Sequence, residues 1–359
     1  MNVHPAVTVG IIGAGNILGQ YLATFDALGL PVVAVAAAHL ERAQAAVAGR
    51  ATRACSVDDL LADGGIDLVV NLAPPTAHAG LTQAGLEAGK HVYSEKPLAL
   101  SPAEAGHLVT AAAHAGVGLG CAPDTFLGTG LQTTARRLAE GLIGQPFAAT
   151  AMWGGPGPEP WHPNPQFFYR WGGGPVFDMG PYYVTALVAH LGPVAAVQAR
   201  VRTTDRVRLV GSGPLQGQRL QVDVPTYATA ILEHAGGALS TVSLSFETFA
   251  GLAGMEIYGT GGTLRLPDPN QFDQPGAVCL PGGDWRELTP AAGYVGLGRG
   301  VGAAELVASW RAGRAARASA ELAAHVTEVL AAINAGGDTV IDSRPAQPQV
   351  VELGAGPLD

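Results

Sequence analysis

From Val7 to about Ala122 the chain alternates short apolar runs with alanine-rich segments of helical spacing. The runs are VTVGII (7–12), PVVAVAAA (31–38), DLVVNLA (67–73), HVYSE (91–95) and VGLGC (117–121). A strand that is apolar throughout is buried on both faces, and helices that cross over between parallel strands supply that cover. The pattern predicts a doubly wound parallel sheet, and an α/β domain over residues 1–123.

After Pro123 the rhythm changes. One helix, about 128–141, leads into PFAATAMW, VAAVQARVRT, TYATAILEHA, ALSTVSLSFET and MEIYGTGGTLRL with no helices between them. The alternation in STVSLSF marks strands with one buried face, so residues 124–345 are expected to form an α+β domain with an open, mostly antiparallel sheet. A closing helix carries Leu322, Val326, Leu330 and Ile333 on one face, and Gly336 stops it. Residues 346–359 read as a loosely held tail.

Composition narrows the classes of function. With 359 residues the chain exceeds one ordinary core, and 14% charged against 48% hydrophobic residues suits a globular enzyme. A net charge of −9 without a basic cluster makes nucleic acid and anionic membrane surfaces poor candidates as partners. No window is apolar enough to span a bilayer, and MNVHPAVTVGIIGAG lacks the pattern of a signal peptide. Cys55, Cys121 and Cys279 are scattered and odd in number, which fits neither a disulfide framework nor a metal site and suggests a cytoplasmic protein.

GIIGAGNILG (10–19) falls where the first strand turns into the first helix. Gly13 permits the tight turn, Gly15 clears space for a pyrophosphate, and the helix start offers unpaired N–H groups. The third glycine of the usual fingerprint is replaced by Leu18, with Gly19 one step later. Where an NAD enzyme places a ribose-binding carboxylate after the second strand, this chain has Ala37. Nothing there repels a 2′-phosphate, and His39 and Arg42 are near enough in sequence to approach one, which favours NADP over NAD. Both are equally at home as solvated residues at a helix start.

NLAPPTAH (71–78) stiffens the loop after the third predicted strand with two prolines at the sheet edge where ligands bind. Thr76 suits a helix cap and His78 a helix surface. In HVYSEKPLALS, Lys96 is one of two lysines among 20 basic residues; the other, Lys90, reads as a surface residue. The charge of an arginine is fixed in practice, whereas a lysine is a compact, tunable donor, which suits a reactive edge. In WGGGPVFDMGPYYVTALVAHLG (171–192), Asp178 fits a helix N-cap, and Tyr182 follows four residues later on the same face. Ahead of it, a Pro/Gly-rich stretch holds Trp153, Trp161 and Trp171, and aromatic faces suit the C–H face of a sugar.

Together GIIGAGN, APPTAH, GLEAGKHVYSEKPLAL and GGGPVFDMGPYYVTAL resemble the glucose–fructose oxidoreductase/inositol dehydrogenase (Gfo/Idh/MocA) family, from about Val7 to Ile341. The resemblance implies a Rossmann domain, a nicotinamide cofactor (NADP or NAD) and a sugar, polyol or related carbonyl substrate. It also implies a homodimer or homotetramer formed through the C-terminal sheet. The lysine of Glu-Lys-Pro is catalytic in that family, which maps to Lys96, and the later aspartate maps to Asp178. Many members carry a histidine four residues further on; Tyr182 stands there instead, as in the tyrosine-containing branch.

The cofactor set so implied is Gly13, Gly15, Asn16, Ile17, Ala37, His39, Arg42, Ala73, Pro74, His78, Glu95 and Lys96. The substrate set is Lys96, Asp124, Trp161, His162, Tyr169, Asp178 and Tyr182, and no metal is expected. A tyrosine hydroxyl ordinarily titrates at about pH 10, so it is a ready acid for carbonyl reduction. As a base it needs a nearby cation such as the Lys96 ammonium. Two other readings stand beside this one: a non-catalytic dinucleotide-binding sensor, and a redox-neutral glycoside hydrolase that recycles its nicotinamide.

Overall fold

The structure is a computed structural model that describes residues 7–358. It divides into two compact units: residues to Gly128, with Tyr294–Thr327 and the chain from Val351, and a second unit of Thr129–Gly293 with Glu328–Val350. The division is discontinuous, whereas the sequence suggested consecutive domains meeting at 123/124. The segment 294–327 returns to the first unit because its helix buries Val301, Ala303, Ala304 and Val307. Val351 is only 1% exposed, so the tail is not loose throughout.

In the first unit, β1 (Val9–Ile12), β2 (Val32–Ala36), β3 (Arg53–Cys55), β4 (Leu68–Asn71), β5 (His91–Ser94) and β6 (Leu119–Cys121) form one parallel sheet. Its order is β3-β2-β1-β4-β5-β6. The crossovers carry α1 (Leu18–Leu28), α2 (Leu40–Ala46), α3 (Val57–Ala62), α4 (Pro75–Glu87) and α5 (Pro102–Ala115). β1, β4 and β5 are buried at every position, including the polar Asn71, His91 and Ser94, as strands covered on both faces are. The short β3 escaped the sequence pattern because it is three residues long and opens on an exposed arginine. The order reverses between β1 and β4, the switch point where doubly wound sheets bind ligands.

The second unit begins with α6 (Thr129–Ala139) and β7 (Pro146–Gly154), followed by α7 (Gly174–Asp178) and α8 (Gly180–Leu191). β8 (Val194–Arg202), β9 (Tyr227–His234), β10 (Leu239–Ser245), β11 (Leu252–Gly259) and β12 (Gly262–Leu266) follow. β13 (Ala277–Cys279) and β14 (Arg286–Glu287) precede α9 (Val301–Arg311), the helix that joins the first unit. α10 (Ala320–Ala335) and β15 (Gly337–Val340) complete the described elements.

The nine strands run β14-β13-β12-β11-β7-β10-β9-β8-β15, all antiparallel except the β10–β7 pair. Burial along β9 alternates strictly, so one face is packed and the other is open. The packed face meets α8 and α10 closely: a Cβ at Gly180 would lie 2.5 Å from the Leu330 side chain and 3.2 Å from that of Leu244. MEIYGTGGTLRL, read as one strand, is the β11–β12 hairpin turning at Thr260 and Gly261.

Candidate active site

Three chain turns leave adjacent strands of the first sheet at their carboxyl ends. After β1, Gly13 adopts φ +120°, and a Cβ there would lie 2.5 Å from the Leu72 carbonyl oxygen, so only glycine fits. A Cβ at Gly15 meets no protein atom within 4 Å, and Asn16 beside it is exposed. The N-cap of α1, Ile17, makes no side-chain hydrogen bond. An open glycine before an uncapped helix start fits a dinucleotide pyrophosphate. Leu18, in the third glycine's place, packs in the core as the first residue of α1. After β2, Ala37 is half-buried, while His39 and Arg42 are exposed.

The turn after β4 is held from beneath by Asn71, which is fully buried. Its Nδ2 donates to the His78 carbonyl (3.1 Å) and to Thr82 Oγ1 (3.2 Å), and its Oδ1 accepts from the Ala73 N–H (3.2 Å). His78 is 1% exposed rather than on a helix surface. Its Nδ1 lies 2.6 Å from the Pro97 carbonyl oxygen and its Nε2 2.7 Å from that of Ala73, so the ring clamps this turn to the Glu-Lys-Pro turn. Burial lowers its pKa below the ordinary histidine value, against the opposing pull of both carbonyls. The helix cap is Pro74, with Thr76 inside α4.

Beyond β5, Glu95 accepts from Tyr21 Oη (2.9 Å) and from the Lys96 N–H (3.0 Å), which ties the lysine's backbone to α1. The Lys96–Pro97 and Ala122–Pro123 bonds are cis. Lys90 is not a surface lysine: it is 8% exposed, and its Nζ donates to the carbonyls of Asp63 (2.7 Å) and Ile66 (2.9 Å). Asp124 is fully buried, and its carboxylate accepts from the N–H groups of Gly300 (2.8 Å) and Gly302 (3.0 Å) at the start of α9. Burial raises its pKa to about 6 despite those two donors.

In the second unit Asp178 ends α7 and is half-buried, while Met179 is the N-cap of α8; the carboxylate is therefore not the cap expected of it. Pro181 sits in the first turn of α8, and Tyr182 follows it at 8% exposure. His162 is half-buried and near enough for Asp178's charge to oppose the fall in its pKa that burial causes. Trp161 is 66% exposed. Tyr169 is fully buried, its hydroxyl donating to Glu159 and accepting from Arg208 (2.8 Å).

Sequence reasoning passed over Asn71, Tyr21 and the Glu159–Arg208 pair. An asparagine in the otherwise apolar DLVVNLA was the available signal for the first. The partners of the others lie 39 to 74 residues away. Among the described residues no group of three or more His, Cys, Asp or Glu is placed to hold a metal, and no helix is long and apolar enough to cross a membrane.

A switch-point glycine turn feeding an uncapped helix, in a parallel sheet of this order, defines a dinucleotide-binding protein of the Rossmann class. The family profile described as an oxidoreductase family with an NAD-binding Rossmann fold matches residues 7–122, and that of the GFO/IDH/MocA C-terminal domain matches 131–265. The chain belongs to the Gfo/Idh/MocA oxidoreductase family. Among its relatives, the 1,5-anhydro-D-fructose reductase of Ensifer adhaerens is 29% identical over 264 residues, covering 71% of this chain and 74% of the reductase. The D-xylose dehydrogenase of Paenarthrobacter nicotinovorans is 27% identical over 186 residues, 50% of this chain and 47% of that one. A levoglucosan dehydrogenase in complex with NADH and levoglucosan has the same fold, with a TM-score of 0.78 at 20% identity over 93% of this chain and 99% of that one.

Proposed function

We propose that this oxidoreductase moves a hydride between nicotinamide C4 and a carbon of a sugar or polyol. The observation that carries the reading is the shared edge in the first unit. The glycine turn after β1, the proline turn after β4 and the lysine turn after β5 leave neighbouring strands, and His78 and Glu95 bind them to one another. The cofactor, when bound, supplies the hydride acceptor or donor. Gly15 and the start of α1 hold its pyrophosphate, and Ala73 and Pro74 border the nicotinamide. Lys96 stabilises charge developing on the substrate oxygen, Tyr182 exchanges that oxygen's proton, and Asp178 holds a neighbouring hydroxyl.

Of the two nicotinamide coenzymes, NADP is slightly favoured over NAD. Ala37 offers no carboxylate to a 2′-hydroxyl, and the exposed Arg42 in the first turns of α2, with His39 at its N-cap, is near enough in sequence to approach a 2′-phosphate. The named relatives support a sugar or polyol as substrate. The open sheet face, with Glu256, Thr150, Thr241 and Ile231 in register across four strands, is the surface by which copies pair, and light scattering of the protein in solution tests for a dimer or tetramer.

The functional test follows nicotinamide absorbance in both directions with aldoses, ketoses, inositols and anhydrosugars, each with NAD(H) and NADP(H). Turnover of at least one compound, at higher kcat/KM with NADP(H) and abolished in Lys96→Ala, is the expected result. Turnover untouched by that substitution removes the lysine's role, and a preference for NAD reverses the coenzyme assignment. Net hydrolysis of a glycoside without nicotinamide reduction replaces this reaction with a redox-neutral one.

A further inference from the structure

The loop between β7 and α7 is long, rich in proline and glycine, and fastened along its length to the strip 206–223. Glu159, 4% exposed, accepts from Arg208 at 2.7 Å and pairs with Arg206 at 3.4 Å, and its carbonyl accepts from the Gly211 N–H at 2.8 Å. Arg208 also donates to the Phe246 carbonyl (2.9 Å) and pairs with Glu247 (2.8 Å). Further along, Gln166 and Gln221 exchange hydrogen bonds of 2.8 and 3.1 Å, Arg170 pairs with Asp223, and the Tyr169 carbonyl accepts from the Asp223 N–H at 2.9 Å. A loop fixed by this many partners presents its outward side chains in set positions.

Two of those side chains, Trp161 and Phe167, are exposed aromatics, and Phe168 behind them packs on the core of Tyr169, Val210, Leu220 and Phe246. Phe167 and Phe168 stack with centroids 4.0 Å apart and planes inclined by 32°, and Trp161 meets Phe168 edge-on at 6.4 Å. His162 lies among them, 5.3 to 5.4 Å from each ring, and senses the charge of Asp178. Trp161 is 66% and Phe167 45% exposed. Single exposed aromatics need no explanation, but a cluster of rings packed on one another in a fastened loop is a preorganised surface for a ring with an apolar face.

We propose that this aromatic face is a second ring subsite, and that the substrate is a glycoside. Its reacting ring is held by Asp178, and its far ring packs against the exposed rings of Phe167 and Trp161. The inference rests on the sugar-oxidoreductase reading and narrows its substrate class. The far ring contributes an apolar face joined through a glycosidic oxygen, a chemistry that a second sugar and an aryl group share.

The test measures binding to the full-length protein by calorimetry, with the nicotinamide coenzyme present, and turnover in parallel. The probes are methyl α- and β-glucoside, maltose, cellobiose and phenyl β-glucoside. At least one two-ring probe is expected to bind about tenfold more tightly than the methyl glucoside of the same linkage. Phe167→Ala should remove that gain and leave the methyl glucosides unchanged, and Trp161→Ala should also remove the gain. A preference for the disaccharides names a sugar as the far ring, and a preference for the phenyl glucoside names an aryl group. Equal affinity for one- and two-ring probes overturns the subsite, as does a gain that survives both substitutions. Two-ring binding without nicotinamide turnover sinks the oxidoreductase reading but keeps the subsite, whereas turnover of methyl glucosides without a two-ring preference does the reverse.

Discussion

The first unit holds its fully buried acid, Asp124, with backbone N–H groups from Gly300 and Gly302, and the polar atoms around Lys96 with Asn71, His78 and Tyr21. The second unit fastens the long loop between β7 and α7 with charge: Arg208 is 2% exposed and reaches Glu159 and Glu247 at 2.7 and 2.8 Å. Its buried base, His190, uses Nδ1 with the Ala186 carbonyl (2.7 Å) and Nε2 with Thr134 Oγ1 (2.9 Å), and burial lowers its pKa to about 4. Backbone donors serve where a turn must sit in one place beside a sheet edge. Ion pairs serve where two irregular segments have no shared ladder to join them. Asp124 and His190 themselves respond to pH with opposite signs.

The largest effect expected falls on chemistry in the first unit. Lys96→Ala should lower kcat on the order of 10²- to 10⁴-fold, the range of a lost charge-stabilising or proton-handling group. A loss below tenfold in steady-state turnover would leave that edge without its reactive member. Next comes the charge-held loop. Arg208→Met removes the shortest ion pairs of Glu159 and Glu247 and leaves them Arg206 at 3.4 and 4.0 Å, so urea unfolding should show a loss of up to about 3–5 kcal/mol, the range for removing one partner from a buried pair. A loss under about 1 kcal/mol would mean that the loop is not held by charge, and the contrast between the units would fail.

The two smaller effects concern pH and have opposite signs. Folded His190 titrates at about 4, below its unfolded value, so its contribution to stability is complete above about pH 6.5 and is lost as pH falls towards 4, by about 3 kcal/mol. His190→Gln abolishes that titration, so the stability lead of the parent over the variant should shrink as the solution is acidified. Folded Asp124 titrates at about 6, above the ordinary carboxylate range; its ionised form costs stability at neutral pH, and the cost is relieved as pH falls through 6 towards 4. Asp124→Asn should therefore gain on the parent by up to about 3 kcal/mol between pH 4 and 7, a ceiling set by the same linkage. Unfolding midpoints of the parent and both variants across this range check both signs, and a pH-independent gap in either series would remove that residue from the comparison.

The two units also differed in how openly their sequences declared them. The apolar runs of β1, β4 and β5 and the glycines at 13 and 15 were readable because local sterics and periodicity specify them. The β11–β12 hairpin was hidden because GTGG interrupts two runs that otherwise join smoothly. α9 passed unnoticed since its alanine-rich face is buried by residues almost 200 positions earlier, among them Tyr93 and Asp124, which crowd Gly302.

The sequence by itself determined the parallel sheet, the glycine turn, the mostly antiparallel second sheet, and the residue types at 96, 178 and 182. Each depends on neighbours within a few positions, where 3.6- and 2-residue periods and glycine conformations act. Tertiary structure alone decided that Lys90 and His78 are buried, that Asp124 is fastened to α9, and that Tyr169 belongs to an ionic anchor while Phe167 faces water. Burial and pairing across tens to hundreds of residues are properties of the packed chain, and no local window contains them.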